Sequence, residues 1–379
     1  MYQFASHGCN MPVQSAQRTV LPGLAELIDV VILAGIAPTF VANGRGDPAV
    51  IRRILRTNTY RRVAVIACAL APLLVGQKLG AQEALAVPEG LPDWAFNIPD
   101  KVQPTAVRVG GIVRAPGSAK EYEWAKVAGT ANPPDWFPDE HPPAPKAVTG
   151  GQGIRFACGA CHLMSGQGHP EAADIAGMPA EYLIRQMAYY KTGARKDDAR
   201  MGPIAKATSD EDVRQAAEYF ASLKPAVWVK VIEAATPPKT FIAIAGRHRQ
   251  LHPDGGTEPI GRRILEIPED PFRTEIRDPH SGFIAYVPPG SIARGEALVK
   301  GGESKTVPCA VCHGEGLKGL GEVPRLAGLQ PLYVARQLFD IQHGSSAGKA
   351  AELMKPVVAN LSEDDIIAIS SYLGSLTPQ

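Results

Sequence analysis

At 379 residues the chain has room for two or three domains, and 45% hydrophobic residues are ample for packed cores. Its 39 Lys and Arg nearly balance its 38 Asp and Glu, so no basic field points to nucleic acid. With 6% aromatic residues, 34 Pro and 38 Gly, the composition suits small helical domains joined by irregular segments rather than one large sheet.

Residues 1–86 read as a presequence. "RRILRTNTYRRVAVIACALAPLLVGQKLGAQEALA" has a basic stretch ending at Arg62, an apolar run from Val63 to Gly76, and small residues near Ala81 and Ala86. That is the pattern of a signal peptide over about 52–86, and the run is short for a spanning helix. It implies an exported, periplasmic protein of a bacterium. Residues 1–50 are expected to lie outside the mature chain; their apolar stretch carries Glu26, Asp29 and two prolines, which makes a poor membrane span. A retained N-terminus would be the route to membrane association.

Residues 87–148 carry Trp94, Trp124 and Trp136 among many prolines. An extended segment with spaced aromatics is expected to pack onto the domain it precedes. Residues 227–289 hold short β-like runs, "TFIAIAG", "RRILEI" and "GFIAYVP", separated by "PDGG" and "RDPHSG", which predicts a connector of strands or hairpins. His248, His252 and His280 in that connector read as solvated loop residues.

Two segments, 149–226 and 290–379, are copies of one unit. "FACGACHLMSG" at 156–166 is answered by "VPCAVCHGEG" at 307–316, so Cys158, Cys161 and His162 correspond to Cys309, Cys312 and His313 at a separation of 151. Tyr182, Arg185, Gln186 and Gly193 answer Tyr333, Arg336, Gln337 and Gly344 at the same spacing. Two residues are then gained, and Met201, Ser209 and Asp212 meet Met354, Ser362 and Asp365. A unit used twice in this way is an internal repeat.

Helical periods run through both copies. Leu183, Met187 and Tyr190 match Val334, Leu338 and Ile341 at i, i+4 and i+7, and Gly193 and Gly344 stand where a helix should stop. Ser209 and Ser362 are positioned to cap a final helix whose stripe is Val213, Ala216, Phe220 and Leu223, or Ile366, Ile369, Leu373 and Leu376. The predicted architecture is mainly α, with two tandem helical domains, an extended N-terminal segment and a partly β connector. Each domain is small for a core of side chains alone, so a cofactor is expected to fill it.

The chemistry rests on Cys-x-x-Cys-His. Two such pairs could give four thiolates to zinc, but each pair belongs to its own unit and zinc gives no reason for the histidine. A redox dithiol wants a βαβ setting, and these surroundings are helical. Covalent haem accounts for every residue: two thiols add to the vinyl groups of a porphyrin and the adjoining histidine becomes the proximal ligand. The chain is therefore expected to carry two covalently bound haem c groups, on Cys158 and Cys161 and on Cys309 and Cys312.

The repeat also nominates the distal ligands. Met164, Met178 and Met187 align with Glu315, Leu329 and Leu338, whereas Met201 alone finds a methionine, Met354. These two follow the histidines by 39 and 41 residues, enough chain to round a macrocycle. His162 and Met201 are assigned to one iron, His313 and Met354 to the other.

With these motifs the sequence resembles the diheme class I cytochromes c of the c4 type, in which two cytochrome c domains are fused. The residues that carry the resemblance are the two Cys-x-x-Cys-His motifs, "PRLAGLQPLYVARQL" (324–338), Gly344, Met354 and "LSEDDIIAISSYL" (361–373). It implies that the Pro324 carbonyl receives the N–H of His313. The first copy departs from the pattern: Ala173 stands in place of that proline, and Leu163 in place of the glycine after the histidine. "SIARGEALVKGG" (291–302) resembles the family's N-terminal helix; its counterpart at 140–151 is rich in proline, and 118–129 is expected to substitute.

The function that follows is electron transfer without a catalytic residue, because an iron with His and Met on its two faces has no vacancy for a reactant. The expected partners are redox proteins of a respiratory chain, a dehydrogenase or quinol oxidase complex as donor and an oxidase or another cytochrome as acceptor, with a haem edge exposed at each end of a short relay. Two alternatives stand beside it. One is a diheme enzyme, peroxidase-like or thiosulfate-oxidising, although Cys9 and Cys68 fall in the presequence and leave no spare cysteine ligand. The other is a subunit of a larger dehydrogenase or oxidase.

Overall fold

The computed structural model describes residues 90–96, 110–151, 153, 155–242 and 249–378. The presequence, with Cys9 and Cys68, and His248 lie outside the described residues. The described residues are mostly helical, with three small sheets among them. No helix among the described residues is long and apolar enough to cross a membrane.

The N-terminal segment is more structured than its prolines suggest. Strands β1 (Ile112–Val113) and β2 (Tyr122–Glu123) pair antiparallel, α1 (Trp124–Ala128) follows, and a single turn, α2 (Lys146–Thr149), precedes the first motif. Val113, Ala115, Val127 and Trp136 form a small core of their own, closed by Ile276 from the connector. The Trp136 indole donates to the Ile276 carbonyl at 2.8 Å. Trp94 instead reaches the second copy, where its indole donates to Glu363 Oε1 at 2.7 Å and its ring meets Phe339 edge-on. The segment therefore packs on the connector and on the far copy as well as on the unit it precedes.

The first copy comprises α3 (Gly159–His162), α4 (Ala180–Thr192), α5 (Met201–Ala207) and α6 (Asp210–Ser222). The connector supplies β3 (Val229–Glu233), β4 (Thr240–Ile242), β5 (Arg249–Leu251), β6 (Leu265–Pro268), α7 (Pro271–Glu275) and β7 (Phe283–Val287). The second copy holds α8 (Ser291–Gly301), α9 (Ala310–His313), α10 (Pro331–Gln342), α11 (Lys349–Val358) and α12 (Glu363–Ser375). β3 runs parallel to β7, β6 antiparallel to it, and β4 pairs β5.

Local chemistry sets the helix ends. Gly193 closes α4 with φ +80°, a conformation glycine adopts without strain. Ser209 and Ser362 accept from the backbone N–H groups of Asp212 and Asp365, and in the second copy Asp365 returns a bond to the Ser362 N–H, completing a capping box. Phe220 and Leu223 in the first copy and Ile366, Ile369 and Leu373 in the second turn inward to one continuous core. Each such side chain contributes about 1.5–3 kcal/mol by burial.

The copies differ at their N-terminal helix. α8 lies against α12 at Gly295, where an added Cβ would overlap the Ala368 carbonyl, so only glycine allows this approach. In the first copy the corresponding place is held by α2, with Ala147 and Val148 buried in the core shared by α6. Cys158 N–H donates to the Ala147 carbonyl (2.9 Å) as Cys309 N–H donates to the Val299 carbonyl (3.0 Å). The expected substitute, 118–129, contributes Val127 to the separate small core instead. A proline just ahead of α2 ends no helix, because the first turn has no intrahelical use for its N–H.

The two copies face each other about an approximate twofold axis. Lys196 N–H donates to the Ser345 carbonyl (2.9 Å), and Ala347 N–H donates to the Ala194 carbonyl (2.7 Å), each pair being the other's counterpart at a spacing of 151. Arg185 pairs with Glu322 at 2.5 Å, and their counterparts Arg336 and Glu171 pair at 3.2 Å. The buried Arg195 guanidinium donates to the side-chain oxygens of both Gln186 (2.7 Å) and Gln337, one glutamine from each copy.

Candidate haem sites

In each copy one helical turn gathers the chemistry. α3 and α9 put the two thiols and the histidine within five consecutive residues, and the histidine N–H donates to the carbonyl of the first cysteine at 3.0 Å in both. Cys158, Cys161, Cys309 and Cys312 are free thiols. Burial pushes the Cys158 and Cys309 thiols up to about 11, against the opposing effect of backbone hydrogen bonds, so both are protonated and neutral at pH 7.

Both histidines are oriented by a backbone carbonyl. His313 Nδ1 lies 2.8 Å from the Pro324 oxygen and His162 Nδ1 lies 2.8 Å from the Ala173 oxygen. A carbonyl only accepts, so Nδ1 carries the proton and Nε2 keeps its lone pair. Burial lowers the pKa of each ring, and the hydrogen bond to the carbonyl opposes that shift without reversing it. The imidazoles are neutral, as a metal ligand must be. The departure at Ala173 is thus without consequence for this bond, which uses the main chain and not the proline ring.

The second departure is resolved by packing. Leu163 has φ +60° where Gly314 has φ +75°. The leucine is buried among Trp228, Val229 and Phe283 of the connector, and the Trp228 indole donates to the Gly168 carbonyl at 3.1 Å. The connector therefore holds the loop behind the first histidine, a role that sequence spacing did not reveal.

Met201 opens α5 and Met354 lies within α11, both half-buried and each one helix ahead of the capped C-terminal helix of its copy. Met354, like Cys158 and Cys309, packs against the main core. Met164 and Met178 are buried core residues, and Met187 is half-buried on α4. Of the connector histidines, His280 Nε2 meets Glu140 Oε2 at 2.7 Å and His252 stands 3.5 Å from Asp254. Among the described residues no group of three or more His, Cys, Asp or Glu converges as a metal cage, so the two cysteine pairs do not share one ion.

The donor set fits haem c: in each copy two unpaired thiols, three residues apart on one turn, with a neutral imidazole following and its Nε2 free. The profile of the Cytochrome c family matches residues 292–377, the second copy. The chain is 35% identical over 75 residues to cytochrome c-554(548) of Halomonas halodenitrificans, spanning 20% of this chain and 90% of that protein.

The chain belongs to the cytochrome c family.

Its likeness to other proteins extends beyond one copy. It is 28% identical over 232 residues to cytochrome c4 of Pseudomonas aeruginosa, covering 60% of this chain and 87% of that one. Over 225 residues it is also 28% identical to the thiosulfate dehydrogenase electron acceptor of Thiomonas intermedia, covering 58% and 78%. Membership in the family implies haem c, and the resemblance to diheme cytochrome c4 runs well beyond one copy.

Proposed function

We propose that this protein is a periplasmic diheme electron carrier that passes electrons between redox proteins and performs no chemistry on a substrate. In this reading 149–226 and 290–379 are two haem domains, with residues 87–148 and 227–289 as the segment before them and the connector between them. Cys158 and Cys161 attach one haem and Cys309 and Cys312 the other. When bound, haem c supplies a reversible one-electron change at iron. The single observation that carries the reading is the duplicated geometry: in both copies a carbonyl accepts from Nδ1 at 2.8 Å, which leaves the lone pair on Nε2.

His162 and Met201 would hold one iron, and His313 and Met354 the other. With haem bound, the thioether of each methionine would raise the potential of the iron and leave no place for a reactant. The reciprocal contacts about the approximate axis keep the two sites at a fixed separation. The Thiomonas relative, by its name, accepts electrons from thiosulfate dehydrogenase, which favours a dehydrogenase as donor here and an oxidase or second cytochrome as acceptor.

An optical redox titration of the holoprotein, with porphyrin counted per chain, tests this. Two porphyrins and two one-electron steps are expected. Met201→Ala and Met354→Ala should each lower one potential by about 0.1 V or more, within the ~0.8 V that axial ligation spans, and leave the other step in place. A five-coordinate iron at rest in the wild type, or fast turnover of peroxide, would replace the carrier with an enzyme.

A further inference from the structure

The two attachment turns are alike in sequence and opposite in exposure. Along 156–161 no residue is exposed, and Ala160, between the two cysteines, is 5% exposed. Along 307–312 only Cys309 is half-buried; the rest are exposed, and Val311, the counterpart of Ala160, is 70% exposed.

The cover over the first turn comes from parts of the chain that the repeat does not contain. Ala157 N–H donates to the Thr130 carbonyl at 2.8 Å, and Gly151 N–H to the Ala131 carbonyl at 3.2 Å. From the connector, the Arg277 guanidinium donates to the carbonyls of Val127 and Gly129, and its charge acts on the Cys161 thiol. Arg277 holds this position with φ +59°, a conformation a non-glycine residue adopts only when its surroundings fix it.

Among the described residues no such hydrogen bond reaches the second turn from outside its copy, and exposed aliphatic side chains lie near its haem-binding residues. Val307 (48% exposed) precedes Cys309 by two residues and Leu353 (78% exposed) adjoins Met354. Leu320 (61% exposed) stands beside Gly314. Their counterparts in the first copy are Phe156, Arg200 and His169, none of them an exposed aliphatic side chain. The exposed charges of the same stretch, Glu303, Glu315 and Lys318, are two acids against one base, and Glu352 beside Leu353 is paired with Lys355, so only a weak field acts on a charged partner.

Resting on the carrier reading above, we propose that redox partners dock on the face around Cys312, through an apolar surface surrounding their own cofactor edge, and that the first attachment site, capped by the extension and Arg277, meets no partner. Donor and acceptor then use one face in turn, and the first haem exchanges electrons only with the second. Exposed aliphatic side chains interspersed with charges of both signs suit brief docking that excludes water without demanding a charged complement.

The test uses the full holoprotein on gold coated with a methyl-terminated alkanethiol monolayer, the electron-exchange rate being read by voltammetry. The double variant Val311→Lys, Leu353→Lys should slow exchange by about tenfold or more, equivalent to roughly 1.4 kcal/mol of docking free energy. Arg155→Glu, on the capped side, should change it by no more than about twofold. Wild-type exchange at the double variant, equal slowing by Arg155→Glu, or faster exchange on a carboxylate-terminated monolayer would overturn the proposal. A porphyrin count on the same samples separates the two levels: two porphyrins with an unaffected double variant refute the docking face alone, whereas fewer than two refute the carrier reading itself.

Discussion

Asp174 and Arg325 occupy the same position in the two copies and form a buried ion pair across the approximate axis, Oδ1 to Nη2 at 2.7 Å. Each follows directly on the carbonyl that holds a proximal histidine, Ala173 for His162 and Pro324 for His313. Arg325 also donates to the Ala327 carbonyl at 2.9 Å, and Asp174 accepts from the Ala176 N–H at 3.2 Å. One pair thus ties the histidine-orienting loops of both copies together.

Arg325→Met should destabilise the protein by about 3–5 kcal/mol, because it strands a carboxylate in the interior, whereas Asp174→Leu with Arg325→Met should cost much less. The pH dependence identifies the cause. Burial already raises the Asp174 carboxyl to about 6 against the pull of Arg325. An acid whose folded pKa is raised favours the fold below its unfolded pKa, and that advantage is lost as pH rises through the folded value. Removing Arg325 raises the carboxyl further, so the deficit of Arg325→Met should be largest at pH 8 and shrink toward pH 5 in denaturant titrations.

Glu266 offers a second titration on the connector. It is buried on β6, its Oε1 accepts from the Leu332 N–H at the start of α10 at 2.7 Å, and its Oε2 has no partner. Burial raises its carboxyl to about 7, with the Leu332 bond and Arg336 pulling the other way. The neutral acid suits the site, so this residue's contribution should be complete below about pH 4 and be lost as pH rises through about 7. Glu266→Gln keeps an acceptor for Leu332 and removes the charge. Its thermal midpoint should fall less than that of the wild type between pH 5 and pH 8; parallel curves would show that Glu266 does not titrate there.

What the sequence revealed follows from the range of the interactions involved. The stripe of α12 and the Ser209 and Ser362 caps are local signals, readable within a few residues, and the repeat located both Cys-x-x-Cys-His turns. β3 was missed because Val229–Glu233 gains its partner, β7, from some fifty residues away. Arg195 was passed over for the same reason: its meaning lies in Gln186 and Gln337, which only the folded arrangement brings to one guanidinium. α2 was hidden by composition, since Ala147 and Val148 are two core residues among prolines that merely start the turn. The asymmetric cover on the first haem site depends on Thr130, Ala131 and Arg277, none of which belongs to any motif.

Leu163 lets packing and backbone conformation be weighed against each other. At φ +60° any residue with a Cβ is strained by about 1–2 kcal/mol relative to glycine. The strain is offset by burying the side chain against Trp228, Val229 and Phe283, a contribution of roughly 2–5 kcal/mol for leucine over alanine. Leu163→Ala keeps the strain and forfeits the packing, so it should be the more damaging change. Leu163→Gly forfeits the same packing but relaxes the backbone, and should be more stable than Leu163→Ala by about 1 kcal/mol despite the greater freedom of its unfolded chain. The reverse order in urea titrations would mean that the backbone here is not held against its preference. Because the residue follows His162, both variants should also be checked for the optical signature of the first haem: a shift in Leu163→Gly that Leu163→Ala does not share would show that the strained turn, and not the leucine packing, sets the pose of the histidine.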